Sequence, residues 1–97
     1  MTLAPVLQPV VRRAILDILN DTGGEQSDDT IARMLVGLGH RVDRAMVAVE
    51  FAWLARAELV SIEELGPFVM AEITDNGISV SDGIRKVEGV NRHRTGR

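Results

Sequence analysis

A mostly helical α+β fold, with three helices, a two-stranded hairpin wing and a short closing helix, is what this sequence predicts, and three observations predict it. Apolar residues recur at helical spacing in three separate stretches before residue 57. The second and third stretches are separated only by Gly39 to Val42 and the capping residue Asp43, a short glycine-containing turn like that of a helix-turn-helix. Two alternating runs then flank Leu65-Gly66-Pro67, the pattern of a hairpin. Helix, helix, turn, helix, hairpin is the order of a winged helix-turn-helix domain. It is placed over residues 1–84, with residues 85–97 as a basic, disordered tail.

The first helix is expected over Gln8 to Asp21. Pro9 suits its opening turn, Val11, Ile15, Ile18 and Leu19 form its apolar stripe, and Thr22-Gly23-Gly24 ends it. Pro5 leaves residues 1–7 open to three readings: an extra turn, a frayed end, or an arm packing on another subunit. Ser27 has the character of an N-cap, and Asp28 and Asp29 follow in the first turn, where the helix dipole favours negative charge. The second helix then runs from Asp28 to Leu38, burying Ile31, Leu35 and Leu38 with Met34 beside them, and Gly39 closes it. Asp43 caps the third. Leu59 to Glu64 and Phe68 to Ile73 alternate as strands, with Val69, Ala71 and Ile73 on one face. Thr74 caps a short fourth helix bearing Ile78 and Val80, with Ile84 near its end and Gly83 as terminator.

The third helix, Asp43 to Val60, is unusual because it is apolar nearly all round. Val47, Phe51 and Leu54 make the ordinary core stripe. The opposite side is Ala45, Ala48, Val49 and Ala52, flanked by Met46 and Trp53, and between the cap Asp43 and Ala57 only Arg44, Glu50 and Arg56 carry charge. A helix of that kind is normally covered on both sides. The second face therefore calls for a partner.

With 97 residues the chain makes one domain with its own core, and no second domain fits. It has no cysteine and only two isolated histidines, His40 and His93, so no metal or other cofactor is expected. No stretch approaches the roughly 20 apolar residues of a membrane span, and the chain is expected in the cytoplasm, with no membrane partner. Charge is uneven: residues 1–84 hold 6 arginines and 13 carboxylates, a balance of −7, while residues 85–97 come to +4. An acidic body repels a phosphate backbone, so composition counts mildly against nucleic acid.

The run LGHRVDRAMVAVEFAWLARAELVSIEELGPFVMAEITDNG resembles the small winged-helix proteins of Mu-like prophages that carry the label of ArsR-type regulators. The resemblance covers roughly Ala14 to Val90, and its most specific pieces are LGH in the turn, AWL in the third helix, ELV at the start of the wing, and Thr74 with Gly77. It implies the fold, a bacterial host cell, and a DNA-binding regulator of transcription. Metal sensing in that wider class uses cysteine clusters, and this sequence has none.

No nucleophile stands at a spacing that pairs it with a base, so the chain is not expected to be an enzyme. Bound to double-stranded DNA, the third helix would present Arg44, Ala45, Ala48, Val49 and Ala52 to the major groove, Arg41 in the preceding turn would take a phosphate, and Arg92, Arg94 and Arg97 of the tail would add charge. Only Arg44 can make a bidentate bond to guanine, and the wing tip carries Glu63 and Glu64, so such binding would be weak and mostly electrostatic. The competing reading is a protein-interaction module, pairing with a second copy or with another phage protein. Its interface would be Ala45, Met46, Ala48, Val49, Ala52 and Trp53.

Overall fold

The computed structural model describes residues 3–92. Helix α1 spans Gln8–Asp21 with Pro9 in its opening turn, where a missing N–H costs nothing. Ahead of it, residues 5–7 form an extra turn in which the Leu7 N–H donates to Ala4 O at 2.9 Å, and Leu3 tucks into the core. Val11, Ile15 and Leu19 are buried as the stripe predicts, joined by Leu16 and by the cation Arg12.

A short strand that the sequence pattern does not announce follows: β1, Glu25–Ser27. Ser27 also caps α2 (Asp28–Gly37), its hydroxyl accepting from the Thr30 N–H at 3.1 Å. Ile31, Ala32 and Leu35 are buried there. Leu38, expected in that stripe, is instead 66 % exposed, and Met34 is exposed as well. The helix has already ended and the chain turns away at Gly39 (φ 96°), so Leu38 lies beyond the edge of the core that Leu35 fills.

Helix α3 covers Arg44–Arg56 and is capped by Asp43, whose carboxylate accepts from the Met46 N–H at 2.8 Å. The alternating runs form β2 (Val60–Leu65) and β3 (Phe68–Ile73), paired antiparallel from Val60 opposite Ile73 to Leu65 opposite Phe68. β3 also pairs with β1, so the sheet has three strands in the order β1-β3-β2 where the pattern predicts a hairpin alone. The reason is an open edge. β3 would otherwise leave a row of unpaired amides beside the α1–α2 connection, and the Ile73 N–H donates to Gly24 O in the same ladder.

Helix α4, Asp75–Ser81, is capped by Thr74, whose hydroxyl accepts from the Gly77 N–H at 3.1 Å. A Cβ at Gly77 would overlap the Leu59 carbonyl oxygen, so the absence of a side chain lets α4 lie directly on the start of the hairpin. Its helix propensity is low for that packing reason. Ile84 falls past the helix and is 80 % exposed.

The expectation of a disordered tail from residue 85 is corrected for residues 85–92. Val87 and Val90 pack against the core, the Asn91 N–H donates to Pro9 O at 3.1 Å, and Arg12 and Arg13 of α1 donate to backbone carbonyls along the segment and the end of α4. Side chains from α1 supply the order that the segment's own pattern lacks. Arg94 and Arg97, expected to add charge for DNA, lie outside the described residues. Among the described residues no helix is long and apolar enough to cross a membrane.

Candidate interface on the third helix

Three sides of α3 are fixed by the rest of the chain. Val47, Phe51 and Leu54 are fully buried, as the stripe predicts. Glu50 is buried too, although its charge suggests surface. It accepts from Arg12 Nε at 2.7 Å, and its second oxygen, Oε2, has no hydrogen-bond partner among the described residues. The same guanidinium lies over the Trp53 ring, 3.9 Å from its centre, and donates through Nη1 to Gly89 O at 3.1 Å. Arg12, Glu50, Trp53 and Gly89 thus tie α1, α3 and residues 85–92 into one buried junction.

On the other flank, Arg44 turns toward the hairpin. Its Nη1 donates to Pro67 O at 3.2 Å, and its guanidinium carbon sits 5.3 Å from the centre of the Phe68 ring. The hairpin therefore runs back along α3, with its tip at the helix N-terminus.

What remains open is a stripe between these flanks. Ala45, Val49 and Arg56 are exposed, with Ala48 and Ala52 half-buried at its margin. Arg41 is exposed in the turn before the helix. Met46 and Trp53, expected on this face, are only partly exposed and pack against the core, Trp53 through the junction with Arg12. The hairpin beside it also exposes Ile62, Leu65 and Phe68, interleaved with exposed Glu63 and Glu64. Neither carboxylate forms an ion pair among the described residues. Arg92, from the basic end of the chain, is exposed but sits with α1 and α4 rather than α3. Periodicity alone could find the Ala45 and Val49 stripe. It could not find the junction, because Arg12 and Glu50 are 38 residues apart in sequence.

The described residues contain no group of three or more His, Asp or Glu that could hold a metal ion. The chain is 35 % identical over 83 residues, 86 % of its length, to the uncharacterized protein gp26 of Escherichia phage Mu, and the match covers 86 % of that protein. No protein-family model and no solved structure matches the chain.

Proposed function

The chain belongs to the family of the phage Mu protein gp26, and we propose that it is a winged-helix protein whose third helix docks on a second copy of the chain rather than in a DNA groove. The helix–strand order and the β1-β3-β2 sheet, with the hairpin folded along α3, support the winged-helix reading. The observation that carries the docking is the open stripe of α3, where Ala45 and Val49 stand exposed beside Ala48 and Ala52. Side chains this small let two helix axes approach to about 8 Å, the close end of the usual range.

A second copy is the occupant that the rim favours. Arg41 and Arg56 lie at the two ends of α3, and the hairpin beside it carries Glu63 and Glu64. Each molecule thus holds both signs of charge around one apolar stripe, as a two-fold self-complementary interface requires.

A DNA-binding regulator of transcription, the function implied by the prophage resemblance, would use the same helix differently. Its open stripe offers base edges the methyl groups of Ala45 and Val49 and one guanidinium, Arg56 at its C-terminal end, while Nη1 of Arg44 is engaged with Pro67 O. The hairpin adds carboxylates where a phosphate would need cations. Binding of DNA through this face is therefore expected to be weak and to vanish with salt.

The test pairs two titrations of the wild-type chain. Light scattering from about 1 to 500 µM should show a monomer–dimer equilibrium with a dissociation constant on the order of micromolar. Fluorescent duplex DNA should bind without sequence preference and lose most of its affinity between about 50 and 200 mM salt. A chain that stays monomeric throughout and binds one DNA sequence tightly at the higher salt refutes the reading.

A further inference from the structure

Residues 85–92 do more than cover the core. Together with Arg13 and the end of α4 they enclose a cleft of about 400 Å³, and no residue of α3 or of the hairpin lines it. Four cations line it, Arg13, Arg85, Lys86 and Arg92, against a single carboxylate, Glu88. In a chain whose residues 1–84 carry a balance of −7, this is an unusual concentration of positive charge. We propose that this cleft binds phosphate groups.

The donors divide by role. Arg13 is committed to the fold, its guanidinium donating to Val80 O at 2.8 Å and to Ser81 O. Arg85 is steadied by Asn76 Oδ1 at 2.8 Å. Lys86 and Arg92 are exposed, and neither side chain makes a hydrogen bond among the described residues. Along the same wall, the backbone N–H groups of Lys86, Val87, Glu88 and Gly89 meet no acceptor among the described residues. Cationic side chains combined with successive free amides are the chemistry that phosphate oxygens select.

The wall is also held in place before any ligand arrives. Arg12 donates to Gly89 O, and Asn91 N–H donates to Pro9 O, so the segment is pinned at two points. A pinned wall lowers the ordering cost of binding. The cleft lies within the size range of small-ligand sites, roughly 300–1,000 Å³. Two sources share this chemistry: the phosphodiester backbone of a nucleic acid lying across the mouth of the cleft, or a free phosphate-bearing small molecule.

The inference stands apart from the α3 docking face, with which the cleft shares no residue, and its test uses the full chain. Two double variants remove the same charge from different places: Lys86→Ala with Arg92→Ala at the cleft, and Arg41→Ala with Arg56→Ala beside α3. The probes are a labelled mixed-sequence duplex of about 20 base pairs, with salt varied, and pyrophosphate by calorimetry. The cleft variant should weaken duplex binding at least about tenfold and cut the salt slope by about 2, while the α3 variant changes it less than about threefold. Pyrophosphate binding that the cleft variant abolishes, with little duplex binding in any form, upholds the cleft and identifies a small ligand. Equal losses in both variants, no loss in either, or no binding of either probe overturns the proposal. Unchanged Trp53 emission in the cleft variant shows that the segment is still seated.

Discussion

Replacing Arg12 with alanine should be among the most damaging single changes available to this chain, although the residue lies in neither the docking face nor the cleft. Among the described residues its guanidinium is the only hydrogen-bond donor to the Glu50 carboxylate, at 2.7 Å, and the Glu50 side chain is 1 % exposed. Because Oε2 already lacks a partner, removal of Arg12 leaves the whole carboxylate buried without a donor. Breaking a buried pair from one side costs about 3–5 kcal/mol. Loss of the stacking over Trp53 adds to it, about 1 kcal/mol or more in a desolvated setting. At about 5 °C per kcal/mol for a domain of 97 residues, the combined loss lowers the melting temperature by roughly 20–30 °C. The assay is thermal and urea unfolding followed by far-ultraviolet circular dichroism, at one protein concentration so that self-association does not enter the comparison. The double variant Arg12→Met with Glu50→Leu supplies the control, since a packed apolar pair in the same space should recover most of the loss. An Arg12→Ala variant that costs less than about 1 kcal/mol, or a double variant less stable than the single, would refute the claim that this pair is buried and interdependent.

Three further substitutions probe the backbone, one at that junction and two where α3, the hairpin and α4 meet. Gly77→Ala would drive a methyl into the Leu59 carbonyl, and the prediction is a loss of about 3 kcal/mol or more by urea midpoint. Gly89→Ala would place its Cβ 2.7 Å from Trp53 Cζ2 at a φ of 95°; the expected result is a red-shifted Trp53 emission and a loss of about 1–3 kcal/mol as residues 85–92 lift. Glu58→Gly should act in the other direction, because Glu58 holds φ 64° just past α3, and a melting temperature unchanged or raised by a few degrees is expected.

The parts legible in the sequence are those decided within a few residues. Ser27, Asp43 and Thr74 each cap the helix assigned to them, because a short polar side chain reaches its own helix's amides without help from the fold. Val47, Phe51 and Leu54 lie in the core because helical spacing fixes them on one side. The parts that the local pattern does not carry are decided across the fold. β1 is only Glu-Gln-Ser and has no alternation to detect; it exists because β3 offers an edge. Glu50 reads as surface by charge and is buried because α1 brings a guanidinium to it. Residues 85–92 have no periodicity, yet backbone carbonyls there and in α4 accept from the arginines of α1. The α3 stripe is a mixed case: Ala45 and Val49 are open as helical spacing suggests, while Trp53 and Met46 are drawn inward by partners that the spacing cannot show.

The claim that α3 docks on a second copy through its open stripe is tested most directly by charging that stripe and reading the oligomeric mass. Ala45→Lys with Val49→Lys alters two exposed positions, so the monomer should keep its fold, whereas an interface would have to bury two unpaired ammonium groups. Val36→Lys, at an equally apolar site on α2 that is 56 % exposed, serves as the control. Sedimentation equilibrium should give a dimer for the wild type and for Val36→Lys, and a monomer for the α3 variant, with dissociation weakened at least about 100-fold. A wild type that remains monomeric, or a dimer that survives both lysines on α3, contradicts it.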